Sequence, residues 1–415
     1  MSGLLEPQGL LFFLLLVAAF GALLWWLAVA KRLVSRILAA CLAFVPAMIF
    51  GVAAVNKYYD YYQTWSSAYA DLTNQNLSAP VLPYLARHPR TRFNAFLGTT
   101  SHGAAAAQQG FMLRLIVRGP ISHITRSVYV YLPPQYFQAA YRGYRFPVIE
   151  LIHGFPGVPQ AWITVLGVNG TLRNLIGAGL AKPAVLVMPD ASGGRGISLQ
   201  CLNQVRGPQD ATYLARDLPG YISRTLRVAP PGGGWGIAGY SEGGFCAANL
   251  GLQYRHSFGF SGVLSGYFKP SPNQLGHGKV SPFGANLRLQ LANTPDYEVT
   301  SLAAGTVLPR FWLGVGTADR SGLQDTQIFY QLLRHLQPGA PLNLVSGAHT
   351  ASTWRELLPP MLEWMTRGLA SQSARISNPA VPVVQHATVA RKTRRNPATT
   401  VQPPGLTTPS SPGGK

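Results

Sequence analysis

The sequence predicts an α/β protein with a mostly parallel central sheet and helices on both faces, preceded by two transmembrane helices. Three observations predict it. Short apolar runs ending in Gly, Asp or Ser recur from Phe111 onward. Helical patterns separate them. Two uncharged apolar stretches open the chain. Short apolar strands alternating with helices point to a largely parallel sheet covered on both sides.

The two opening stretches are Gly9 to Ala30 and Ile37 to Val55. Each approaches the about 20 residues that span a bilayer as a helix, which satisfies its own backbone in lipid. Trp25 and Trp26 close the first, and Tyr58, Tyr59, Tyr61 and Tyr62 follow the second, as suits a headgroup interface. The link KRLVSR is basic, so the positive-inside rule puts it in the cytoplasm and everything after Val55 outside. The expectation is a cell-membrane protein with an extracytoplasmic catalytic domain. Residues 1–56 form the two-helix anchor and 57–109 a connector with some amphipathic helix.

Residues 110–369 are the expected α/β domain. FMLRLIV and SVYVYLPP alternate and are rich in β-branched and aromatic residues, so they are strands. PVIELIHG, AVLVMPD, GWGIAGYS, FSGVLSGY and RFWLGVG follow as further strands. Helices are expected over Trp162–Leu180, Ala211–Arg227, Gly243–Arg255, Leu323–Leu336 and Thr353–Arg367. The stretch 370–415 is rich in Pro, Ser and Thr, is basic, and holds no acid. It lacks the apolar surface to offset its ordering entropy and is expected to be disordered.

Composition narrows the function classes. The hydrophobic fraction is 47% and the charged fraction 12%, which excludes a disordered chain. Lys and Arg total 34 against 14 Asp and Glu, a formal charge of +20. No zinc-finger spacing, RNA-binding signature or phosphate loop accompanies that charge, so nucleic acid is not expected as a partner. Of three cysteines, Cys41 lies in an apolar run; Cys201 and Cys246 either pair or stay free thiols. No metal-ligand spacing is present, and neither metal nor cofactor is expected.

The chemistry resides in Gly239-Tyr240-Ser241-Glu242-Gly243, a G-x-S-x-G between strand-like WGIA and helix-like GGFCAANLGLQY. A sharp strand-to-helix turn forces the serine into an unusual backbone conformation, and glycines on either side remove the side chains that would clash. Ser241 would be the nucleophile, standing where backbone N–H groups favour negative charge. A serine needs a base, and the base an orienting acid, in the chain order Ser, acid, His. Asp319 alone among the later acids sits just after an apolar strand, in FWLGVGTAD. His349, in the loop SGAHT before a helix, is the general base. His335 lies inside a helical pattern and His386 in the tail. For the oxyanion hole, one donor is the backbone N–H of Glu242. The other is that of Gly154 or Phe155 in His153-Gly154-Phe155-Pro156-Gly157, since Pro156 has no N–H to give. His153 precedes the serine and is read as shaping its loop.

These motifs carry a resemblance. HGFPG, VMPD, GYSEGG, GTAD and GAHTASTW occur in the order found in the esterase branch of the α/β hydrolases, which includes esterase D (S-formylglutathione hydrolase) and the mycolyltransferases of mycobacteria. The resemblance covers roughly residues Phe111 to Leu369. It implies an α/β-hydrolase fold and supports Asp319 through the similarity of GTAD to the acid-bearing segment of esterase D. Three departures stand out: the spans and connector ahead of the domain are not part of the esterase D pattern, the mycolyltransferases carry Glu where Asp319 stands, and Tyr267–Ala304, where the branch carries a variable cap, does not align with it. The expected function is membrane-anchored ester hydrolysis or acyl transfer through an acyl-enzyme on Ser241. The substrate is a small-molecule or lipid ester, and the acceptor is water, a sugar or another alcohol. The competing expectation is a catalytically silent hydrolase fold serving as a binding or scaffold module at the bilayer.

Overall fold

The computed structural model describes residues 79–376 apart from 86, 101–102, 195–197 and 272–280. It also describes 51–56, 61–62, 69 and scattered positions between 20 and 48. Among the described residues nine strands form one sheet: β1 (Val81–Leu82), β2 (Phe111–Arg118), β3 (Thr125–Leu132), β4 (Val148–Ile152), β5 (Val185–Pro189), β6 (Gly232–Tyr240), β7 (Phe258–Leu264), β8 (Arg310–Gly316) and β9 (Leu342–Val345). Their spatial order is β1-β2-β3-β5-β4-β6-β7-β8-β9. β3 runs antiparallel to both β2 and β5, and every other neighbour pair is parallel. The sheet is mostly parallel, as the alternation of apolar strands and helices predicts.

The all-apolar strands follow from burial on both faces. In β4, Ile149 and Leu151 join the core that holds Trp162, Trp354 and Met361, whereas Val148 and Ile152 join the core that holds Phe245, Phe329 and Leu218. The helices Val168–Gly177 and Ala351–Ile376 supply the first core; Leu218–Thr225, Glu242–Gln253 and Arg320–Leu333 supply the second. The expected helix over Trp162–Leu180 is instead two pieces, Ala161–Thr164 and Val168–Gly177, because Gly167 takes a left-handed φ of 63° and restarts the chain. Within the expected Ala211–Arg227, a wide π turn, Tyr213–Asp217, precedes Pro219, whose nitrogen has no hydrogen for the ladder.

The expected membrane localisation is corrected here. Among the described residues no helix is long and apolar enough to cross a membrane. The longest described helix, Ala351–Ile376, carries Arg355, Glu356, Glu363 and Arg367 and packs on the sheet. Most of Gly9–Ala30 and Ile37–Val55 lies outside the described residues, as does the tail from 377. Where the second run is described continuously, at 51–55, it is helical and its side chains Val52 and Val55 line a cavity of the α/β unit.

Alternation along β4 also turns one carboxyl inward. Glu150 is fully buried between Val148 and Ile152, and neither carboxyl oxygen has a hydrogen-bond partner. Burial pushes its pKa far above the ordinary carboxylate range. Removing an unpaired buried polar group removes its desolvation cost, so Glu150→Leu, close in size, should raise stability by about 1–3 kcal/mol in urea unfolding.

Candidate active site

β6 ends at Tyr240, and the helix Glu242–Gln253 begins two residues on, leaving Ser241 alone at the corner. Its backbone sits at φ 56°, ψ −122°, a conformation rarely taken by a residue with a side chain. The turn is held because the Ser241 N–H donates to Leu264 O on β7 at 2.9 Å, and the Ser241 carbonyl accepts from Gly244 N at 2.9 Å. The two motif glycines are a steric requirement. A Cβ at Gly239 would lie 2.0 Å from Gly243 O, and one at Gly243 would lie 2.1 Å from Ile152 O.

Asp319 follows the end of β8 and His349 follows β9, so both reach the carboxyl edge of the sheet where Ser241 stands. His349 Nε2 is 2.9 Å from Ser241 Oγ, and its Nδ1 is 2.6 Å from Asp319 Oδ2. An ionised carboxylate can only accept, which assigns the proton to Nδ1 and leaves Nε2 to accept from the Ser241 hydroxyl. The Asp319 side chain is 3% exposed and that of His349 41%, so the acid is shielded while the imidazole is open to a ligand. Burial acts to raise the Asp319 pKa. The hydrogen bond and charge of His349 and the Gly322 N–H outweigh it and hold the carboxyl below its ordinary value. Asp319 also serves its own helix, because its Oδ1 accepts from Gly322 N at 3.1 Å and caps Arg320–Leu333.

Aromatic packing fixes the imidazole. Trp354 meets the His349 ring edge-on at 5.2 Å and stacks on Tyr240 at 4.5 Å; Tyr240 in turn meets Trp162. Gly154 and Phe155 line the cavity at Ser241, and a Cβ on Gly154 would press on the Tyr240 ring at 2.8 Å. The Phe155–Pro156 peptide is cis. His153 is buried behind this loop: its Nδ1–H donates to Gly154 O at 2.8 Å, and its Nε2 accepts from Ala191 N at 3.1 Å. The backbone N–H of Glu242 belongs to the first turn of its helix, where no earlier turn supplies an intrahelical acceptor.

The side chain of Glu242 lies elsewhere. It is buried and accepts from Ser198 Oγ, beside a disulfide between Cys201 and Cys246 that ties the 198–204 loop to the elbow helix. Burial pushes its pKa up to about 7, against the hydrogen bonds from Ser198 and the Gln200 N–H. A folded value above the unfolded one means stability that is full below the unfolded carboxylate range and is lost as pH rises through about 7. Glu242→Gln should flatten that decline, which in the wild type is on the order of 2–3 kcal/mol between pH 5 and 8 in urea unfolding.

Sequence reasoning named Ser241, Asp319 and His349, and these three are joined by hydrogen bonds. It missed the outer wall of the cavity. Val52, Val55, Asn56, Tyr61 and Tyr62 line, together with Val158 and Val165, a cavity of about 570 Å³, a size typical of small-molecule sites. No motif marks them, and their partners are distant: Arg355 Nη2 donates to Tyr61 O across 294 positions at 2.7 Å. Among the described residues no cluster of His, Cys, Asp or Glu could hold a metal ion.

Residues 123–365 match the family described as Putative esterase, more than half of the chain. A curated relative, an uncharacterized protein of Corynebacterium glutamicum, is 23% identical over 248 residues, or 58% of this chain; the match spans 57% of that relative's length. A ferulic acid esterase superposes with a TM-score of 0.53 at 21% identity, over 63% of this chain and 99% of its own. A fluorophosphonate-binding serine hydrolase of Staphylococcus aureus superposes with a TM-score of 0.50 at 17% identity, over 62% and 98%. At those identities the likeness is one of fold.

Proposed function

The chain belongs to the Putative esterase family, and on that premise we propose that it is a serine carboxylic-ester hydrolase or acyltransferase working through an acyl-enzyme on Ser241. The observation that carries the reading is the unbroken relay Ser241 Oγ, His349, Asp319, at 2.9 and 2.6 Å. His349 Nε2 takes the hydroxyl proton as Ser241 Oγ bonds to the ester carbonyl carbon. The carbonyl oxygen gains the negative charge and is met by the backbone N–H of Glu242 and of Gly154 or Phe155. Collapse breaks the bond to the alkoxy oxygen, which leaves as alcohol with the proton from His349. Asp319 keeps the imidazole in one tautomer and stabilises its cationic form.

In the second half-reaction His349 draws a proton from an acceptor, whose oxygen displaces Ser241 from the acyl carbon, and His349 returns that proton to Ser241 Oγ as the acyl–oxygen bond breaks. The acceptor is water in a hydrolase and a sugar or other alcohol hydroxyl in a transferase. Product analysis with and without a sugar acceptor separates these two. The reaction class itself is tested by a fluorophosphonate, which bonds covalently to an activated serine. Labelling of the wild type and none of Ser241→Ala is the expected result; absence of labelling in folded wild type overturns the proposal.

A further inference from the structure

We propose that the cavity at Ser241 is a subsite for a hydrocarbon group of the ester, and that its outer wall is supplied by Val52, Val55 and Tyr61, from the segment ahead of the sheet. The inference rests on Ser241 as the acyl-carrying nucleophile and adds to it the chemistry of what binds.

Among the described residues the lining holds no Lys, Arg, Asp or Glu. Its chemically active side chains, Ser241 and His349, stand together, hydrogen-bonded to each other. Beyond them the walls are chiefly apolar, with Pro156, Val158, Val165, Val52 and Val55 among the lining residues. A charged group placed there would lose water, and the guanidinium at the opening, Arg355, already donates to Tyr61 O and Val165 O, so burying that group is costly. A hydrocarbon chain gains instead. Val52 and Val55 are 61% and 59% exposed, so a chain lying against them would remove apolar surface from water on both partners.

The wall is held rather than loosely apposed. Asn56 Nδ2–H donates to Tyr62 O at 2.9 Å, and Tyr62 N–H donates to Asn56 Oδ1 at 2.8 Å, closing the segment on itself. One guanidinium then joins the two sides of the opening. Arg355 donates from Nη2 to Tyr61 O at 2.7 Å and from Nε to Val165 O at 2.8 Å. Arg355 follows Trp354, which packs on His349, so the clamp and the indole that braces the catalytic imidazole share one helix turn. A wall set before binding costs little ordering entropy when the substrate arrives.

The test uses the full chain and two ester series. In one, p-nitrophenyl esters lengthen the acyl group from acetate to octanoate; in the other, acetates lengthen the alcohol. The wild type is expected to favour the long member by about tenfold or more in kcat/KM in one series. Val55→Trp and Val52→Trp, each filling the opening from an exposed position, should cut that ratio toward unity. A rise in the acyl series puts the hydrocarbon on the acyl side, and a rise in the alcohol series puts it on the leaving group. No length preference in either series, or one that neither variant alters, overturns the subsite. Fluorophosphonate labelling of the wild type keeps the two failures apart. An unlabelled serine sinks the reaction class, whereas a labelled enzyme indifferent to chain length sinks only the subsite.

Discussion

Ser241→Ala lowers kcat for a p-nitrophenyl ester by about a millionfold, His349→Ala does nearly the same, and the double variant is little worse than either alone. The reason is that the two side chains perform one event. Without the imidazole 2.9 Å away, the hydroxyl keeps its proton and attacks poorly. Without the hydroxyl, the imidazole has no covalent intermediate to relay for. The loss is therefore shared rather than additive, and what survives is the contribution of the oxyanion donors and of binding. Single-turnover assays on the three variants, each with its unfolding curve, make the measurement. Losses that multiply, or a His349→Ala enzyme within tenfold of wild type, would show that the relay is not the working unit.

Asp319→Asn is the second large effect, a fall in kcat of about ten-thousandfold. An amide in place of the carboxylate can present its own N–H to His349 Nδ1. The ring then carries its proton on Nε2, facing Ser241, and can no longer accept. The same substitution spares the fold, because Asp319 also caps the helix Arg320–Leu333 through Gly322 and Asn is an equally good cap. Asp319→Ala removes the cap along with the acid and should cost about 1 kcal/mol of stability beyond the Asn variant. A variant pair with equal stability would mean that the cap contributes nothing, and an active Asp319→Asn enzyme would remove the acid from the mechanism.

Much of the architecture was legible because it is written locally. Strands buried on both faces must be apolar throughout, so PVIELI, AVLVM and GWGIA identify themselves. The elbow is legible for a similar reason. A left-handed serine pressed between a strand and a helix tolerates no Cβ at 239 or 243, so the glycines are imposed by contact with Gly243 O and Ile152 O. Scarcity helped with Asp319, which is the one later acid directly after a buried strand.

Other features were settled only by the folded chain. An apolar run states that its side chains prefer to leave water, not what they lean against. Ile37–Val55 therefore reads as a span, while Val52 and Val55 border the cavity at Ser241. Cys201 and Cys246 read equally as thiols or as a pair, and their disulfide follows from a loop laid beside the elbow helix. Arg355 reads as one more basic residue on an amphipathic helix, yet it joins Tyr61 and Val165 across the mouth of the site. Glu150 reads as a polar interruption of a strand and is in fact sealed in the core. The sequence by itself determined the sheet and the chemistry-bearing turn, because both are constraints on neighbouring residues. The tertiary structure decided the walls of the pocket, because those are contacts between segments hundreds of positions apart whose composition carries no address.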